Sequence, residues 1–223
     1  MKYLKKFENH SEYETYIQGG GVALPNVSLC EQENGVYYNA LVPMIDGHEY
    51  VDLGLPSGTK WATMNVGANS ITDYGNYYQY GKGVGTYQAT SGDSTYNGSE
   101  NPLSSLVDTA TQSWGENWHT PTKTQLEELI SYTEVEYVTN YNNSGINGFV
   151  FTNNNQSLFI PAAGSYYDGT LSNNAYWSFV GCSSPIPGDT SNGGTYMLVL
   201  SPSVKSIQTT GRIRGLSIRP VAD

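Results

Sequence analysis

The sequence predicts an α+β fold of short antiparallel strands, few helices and long loops, preceded by a small N-terminal segment. Three observations point there. A complete helix-start signal occurs at Thr122. Many short runs of strand-forming residues lie between Gly- and Asn-rich turns. The Gly19-Gly20-Gly21 triplet and a change of character near residue 45 separate an attachment or assembly segment, 1–45, from a ligand-binding domain, 46–223.

Taken in order, residues 4–18 have helical spacing in Leu4, Phe7, Tyr13, Tyr16 and Ile17, with Ser11 or Asn9 as cap. Two β-like runs follow, Val27–Cys30 and Val36–Tyr38, joined by the turn Glu33-Asn34-Gly35. Tyr50–Leu53 and Lys60–Asn65 read as strands around the turn-former Leu55-Pro56-Ser57-Gly58-Thr59. Residues 67–112 are rich in Gly, Tyr, Ser, Thr and Asn and show little periodicity. A loop that long needs a rigid scaffold. The clear helix begins at the N-cap Thr122, completes a capping box with Gln125, and turns Leu126, Leu129 and Ile130 inward. Tyr137–Thr139, Gly148–Thr152 and Ser157–Ile160 are strands, with Asn153-Asn154-Asn155 as a turn. Tyr176–Val180, Tyr196–Leu200, Val204–Gln208 and Leu216–Pro220 complete the set.

Composition narrows the function. Charged residues make up only 13% of the chain, against about a quarter in ordinary globular chains. Uncharged polar residues, glycine and 19 tyrosines take their place. Tyr offers rigid, amphipathic contact area at low entropy cost, and it also favours strands, so most copies are expected to be structural. The formal net charge of −10 argues against nucleic acid and against an anionic membrane surface. No apolar run approaches the roughly 18 residues of a membrane span. The start, Met1-Lys2-Tyr3-Leu4-Lys5-Lys6, has no apolar core after it and does not read as a signal peptide.

Six ordered motifs carry a resemblance. They are Val51-Asp52-Leu53-Gly54-Leu55-Pro56-Ser57-Gly58-Thr59-Lys60-Trp61-Ala62, Tyr74-Gly75-Asn76-Tyr77-Tyr78-Gln79-Tyr80-Gly81, Trp114-Gly115-Glu116-Asn117-Trp118-His119-Thr120-Pro121-Thr122, Ile160-Pro161-Ala162-Ala163-Gly164, Tyr176-Trp177-Ser178 and Gly215-Leu216-Ser217-Ile218-Arg219-Pro220-Val221. Together, over about residues 48–221, they resemble the C-type-lectin-like domains of Bacteroidetes and their gut phages. That group is related to variable proteins of diversity-generating retroelements and to formylglycine-generating-enzyme-like folds. Ala23-Leu24-Pro25-Asn26-Val27-Ser28-Leu29-Cys30 with Val36-Tyr37-Tyr38-Asn39 is similar to N-terminal segments of gut-phage virion proteins.

The resemblance implies a non-catalytic, phage-borne receptor-binding or variable protein. It would meet a host-surface protein or glycan at the virion surface and attach to virion or tail through its N-terminal segment. A bacterial cell-surface adhesin or pilus-associated domain is the alternative. In the retroelement branch the ligand surface lies on the last strands and loops. Here that stretch offers Ser165, Tyr166, Tyr167, Asp168, Ser172, Asn173 and Asn174, then Gln208, Thr209 and Thr210. The same residue types also suit ordinary loops. Arg212 and Arg214 flank the stretch and suit either a ligand carboxylate or loop carbonyls.

Other chemistries find less support. The calcium-holding motifs of sugar-binding C-type lectins, Glu-Pro-Asn, Gln-Pro-Asp and Trp-Asn-Asp, do not occur; Asp168 and Asp189 are isolated acids. Formylglycine-generating relatives use a cysteine pair late in the domain. This chain has Cys182 there and Cys30 in the first segment, so Cys182 reads as a small buried apolar residue and no cofactor is implied. His119, just ahead of the helix, reads as satisfying the turn, and Glu127-Glu128 as a solvated face. Trp61, Trp114, Trp118 and Trp177 are expected in the core.

Overall fold

The computed structural model of the chain describes residues 4–7, 11–12, 15, 22–23, 30–32, 35–41, 43–83, 96–188 and 193–223. In the N-terminal segment, β1 (Leu4–Phe7), β2 (Val22–Ala23) and β3 (Cys30–Gln32) each pair antiparallel with β4 (Gly35–Leu41). The register Gln32↔Gly35 closes the expected hairpin. The helix expected over 4–18 is corrected at its start. Leu4–Phe7 is a strand in register with Tyr38–Leu41, because pairing with a seven-residue strand outweighs a three-residue apolar spacing. Ser11, Glu12 and Thr15 do have helical backbone; the remainder of 8–21 lies outside the described residues.

A hairpin of β5 (Met44–Ile45) and β6 (His48–Asp52) opens the rest of the chain. Its turn, Asp46-Gly47, has both residues at positive φ, 47° and 83°, as a two-residue hairpin requires. Met44 and Ile45 pair with β6, so strand pairing with the sequence after residue 46 begins two residues ahead of it. β6 continues to β7 (Lys60–Ala62) through a turn closed by the Gly58 N–H on the Leu55 carbonyl (2.9 Å). The last strand, β18 (Val221–Ala222), pairs with β7. This sheet has the order β18-β7-β6-β5.

A second sheet carries the core. Its order is β16-β15-β14-β17-β8, with β8 at Tyr77–Tyr78, β14 at Ser178–Pro185, β15 at Gly194–Ser201, β16 at Val204–Gly211 and β17 at Leu216–Ser217. Among the described pairs the β14–β17 contact is parallel, as is the isolated bridge between Gly164 and Ser178. A third sheet runs β11-β10-β9, from β9 (Glu134–Val138), β10 (Gly148–Asn153) and β11 (Gln156–Pro161). Asn154 and Asn155 make its tight turn at φ 48° and 60°. The described architecture is thus mostly antiparallel β with two α-helices.

Helix α1 (Thr109–Trp114) has no counterpart among the expected helices; it begins inside the loop-like stretch 67–112 and ends at Trp114, the first residue of the next motif. Asp108 caps it by accepting from the Thr111 N–H, and the same buried carboxylate accepts from the Thr120 N–H. Helix α2 (Lys123–Tyr132) has the capping box expected from Thr122 and Gln125. Its Leu126 and Leu129 are fully buried against Phe149, Phe151, Val180, Leu198 and Trp61 in the main core. Burying such side chains supplies about 1.5–3 kcal/mol each. Trp61 and Trp118 are core as expected, while Trp114 and Trp177 are only half-buried. Arg219 is enclosed, donating to Asn65 Oδ1 (2.9 Å) and the Ala62 carbonyl (3.0 Å). Burial lowers its pKa to about 9, which leaves it charged at neutral pH.

Candidate recognition surface

The polar stretch read as loop is built. Ser165–Tyr167 (β12) and Thr170–Ser172 (β13) form a hairpin around Asp168-Gly169, both at positive φ. Gly164, at φ 67°, starts it, and a Cβ there would collide with the Ser172 carbonyl oxygen. The hairpin is fastened to the core sheet by Tyr166, which exchanges hydrogen bonds with Gly215 (2.9 and 2.8 Å) and packs its ring 5.8 Å from that of Tyr77. Tyr167, Asp168, Gly169 and Thr170 are all exposed.

The next turn is held more tightly still. Asn173 and Ala175 both adopt left-handed backbone, at φ 63° and 67°. For alanine this conformation costs about 1–2 kcal/mol. Four hydrogen bonds impose it. The Ala175 N–H donates to the Ala162 carbonyl (2.6 Å), and the Trp177 N–H to Asn173 (3.0 Å). The Ala175 carbonyl accepts from Tyr137 Oη (3.1 Å) and Asn147 Nδ2 (3.0 Å). What the turn presents is Asn173, Asn174 and Tyr176, all exposed, Tyr176 at 53%. Asn174 hydrogen-bonds Tyr74, whose own burial raises its phenol pKa. The Tyr176 ring leans edge-on against Tyr137 at 5.9 Å. Tyr176, expected at the start of the following strand, lies ahead of it, since β14 begins at Ser178.

Two of the expected ligand positions are withdrawn from solvent. Ser165 is 1% exposed at the base of the hairpin, and its Oγ accepts from Arg214 Nη1 (3.1 Å). Arg212 is also 1% exposed. Its guanidinium donates to the carbonyls of Tyr96 (2.9 Å), Gly98 (2.8 Å) and Gly194 (3.4 Å) and stacks 4.8 Å over Tyr80. It pins loops together. Tyr166 and Arg214 are half-buried. Gln208 and Thr209 are exposed and Thr210 half-exposed on the edge strand β16, but strand alternation sends Thr209 to one face and Gln208 and Thr210 to the other. Ser206 accepts from Gln208 Nε2 (3.0 Å).

Elsewhere the geometry offers less. A cavity of about 20 Å³ beneath β8 and β14, lined by Tyr78, Thr120, Cys182 and Leu216, has room for a water molecule and not for a ligand. Cys182 is buried, its thiol is pushed up to about 11 by burial, and its sulfur accepts from the Ser184 N–H (3.3 Å). His119 pairs its backbone with Val221 and sets Nε2 3.3 Å from Asp223 Oδ2. Among the described residues, no three His, Cys, Asp or Glu side chains converge on a metal position, and no helix is long and apolar enough to cross a membrane. In comparisons with known proteins, no family model, no curated protein and no solved structure matches the chain.

Proposed function

We propose that this chain is a ligand-recognition protein, a C-type-lectin-like domain that presents residues 165–177 to a host-surface protein or glycan and rides on a phage particle. The observation that supports it most is the Asn173–Trp177 turn. Strained backbone held by several hydrogen bonds, with its large side chains turned outward, is a means of fixing a contact surface before binding. Tyr167 and Tyr176 supply the rigid rings, and Ser172, Asn173 and Asn174 the adaptable polar contacts. The fold part of the reading draws on the six motifs and on a mostly antiparallel scaffold whose early strand β7 pairs with the last one, β18.

The test uses the labelled full-length chain against a panel of gut Bacteroidetes cells. Wild type should bind some strains saturably. Tyr167→Ala/Tyr176→Ala should weaken binding at least about tenfold, as loss of a hot-spot aromatic does, with little change in melting temperature. Binding that survives the double substitution unchanged would place the contact elsewhere.

A further inference from the structure

An asparagine followed by glycine can react with its own backbone. The glycine nitrogen attacks the asparagine side-chain carbonyl carbon and closes a five-membered succinimide. Nδ2 departs as ammonia, taking up the displaced N–H proton by way of solvent. Water then opens the ring to aspartate, or to isoaspartate, whose main chain is one carbon longer. Glycine favours the attack because it has no Cβ to shield its nitrogen. The chain has four such pairs, Asn34-Gly35, Asn97-Gly98, Asn147-Gly148 and Asn192-Gly193. Asn34 and Asn192 lie outside the described residues, and the structure treats the other two in opposite ways.

Asn147 is held at both ends of its amide. Its Nδ2 donates to the Ala175 carbonyl (3.0 Å), and its Oδ1 accepts from the Asn140 N–H (3.1 Å). Gly148 is buried and opens β10, in register with Val138 on one side and Pro161 on the other. Ring closure there would break both side-chain bonds and pull the glycine nitrogen out of the sheet.

At Asn97-Gly98 the reacting groups are free and only their flanks are fixed. Asn97 is exposed, and among the described residues neither its amide nor the Gly98 N–H makes a hydrogen bond. Arg212 Nη1 donates to the carbonyl on each side, Tyr96 (2.9 Å) and Gly98 (2.8 Å). The Tyr96 phenol, in turn, donates to the Glu100 carboxylate. The buried guanidinium thus faces the peptide whose N–H must ionise, and a nearby positive charge favours the anion.

We propose that Asn97-Gly98 is a self-modification site, left reactive by a fold that shields Asn147-Gly148, and that its isoaspartate product loosens the hold of Arg212. Aspartate keeps the spacing of the Tyr96 and Gly98 carbonyls. Isoaspartate lengthens the main chain between them, so one nitrogen can no longer hold both. Arg212 is 1% exposed, and its Nη2 already has no hydrogen-bond partner among the described residues. The lost bond therefore falls on a charged group with no water to turn to.

The full chain would be incubated at mildly alkaline pH, folded and in denaturing urea, and its peptides mapped by mass spectrometry. In the folded chain Asn97 should convert at least about tenfold faster than Asn147, which reacts only from a locally opened state. In urea the two rates should come within about threefold, since both asparagines precede glycine. Equal rates in the folded chain, or conversion of Asn97 in urea alone, overturns the site. The isoaspartate form, separated from unmodified protein, should melt roughly 2–8 °C lower for an unpaired buried donor. Asn97→Asp carries the same new charge on a normal backbone and should melt like the wild type. An unchanged melt of the isoaspartate form, or an equal fall in Asn97→Asp, overturns the coupling to Arg212.

Discussion

Replacing Ala175 by glycine should stabilise the protein, although it removes atoms and adds none. At φ 67° the alanine Cβ crowds the following carbonyl, at a cost of about 1–2 kcal/mol. Glycine removes that cost but gives the unfolded chain more freedom, worth roughly 0.5–1 kcal/mol against folding. The methyl group is exposed, so no core contact is lost. The bonds from Ala175 to Ala162, Tyr137 and Asn147 all involve main-chain atoms of residue 175 and survive the change. The difference is about 0–1.5 kcal/mol in favour of folding, centred on ~0.75 kcal/mol, a rise of up to roughly 6 °C in melting temperature for a chain of this length. Ala175→Val should move the opposite way, since a β-branched residue fits left-handed backbone worse. Urea and thermal unfolding of the full chain measure both. If Ala175→Gly lost more than about 0.5 kcal/mol, the turn would not be strained in solution and its role in fixing Tyr176 would fall with it.

Two further substitutions separate scaffold from surface. Trp118→Ala should cost about 3–5 kcal/mol, because the ring is fully buried and its Nε1 donates to the Ile45 carbonyl, whereas Tyr176→Ala should stay within about 0.5 kcal/mol in the same urea assay. His48 is stacked on Trp114 at 3.7 Å, and desolvation lowers its pKa below 6.5 despite the opposing pull of Asp46. A lowered histidine pKa means the fold binds fewer protons than the unfolded chain, so this contribution is complete above pH 6.5 and is lost as pH falls through the folded value. Melts between pH 7.5 and 5 should show that loss in the wild type and less of it in His48→Gln; parallel curves would refute it.

Local chemistry made much of this fold legible. Thr122 with Gln125 announces α2, and Asn153-Asn154-Asn155 a tight turn, because those signals act within a few residues. α1 announces nothing comparable. Its cap, Asp108, is justified as much by Thr120, twelve residues on, as by Thr111, and such a bond cannot be seen before the chain is folded. Leu4 and Phe7 fit a helix by spacing and a strand by partner, and the partner decided. At the candidate surface the sequence offered a polar stretch but could not sort it. Ser165, Arg212, Tyr167 and Asn173 look equally polar in a string, and only the register of β12 and the carbonyls of Tyr96 and Gly98 send the first two inward.

The β5–β6 hairpin has a mechanical meaning. Trp118 donates to the Ile45 carbonyl, Asn117 grips Asp46 at 2.9 Å and His48 lies flat on Trp114, so the hairpin is braced by side chains from the end of α1 and the α1–α2 connection as well as by its own ladder. Tension arriving at Pro43 from the upstream segment therefore enters the sheet β5-β6-β7-β18 and this brace first. The hairpin β12–β13 hangs from Gly215 and the other sheet, off that route. A tug on the upstream segment can be taken up without reshaping the face that carries Tyr167 and Tyr176.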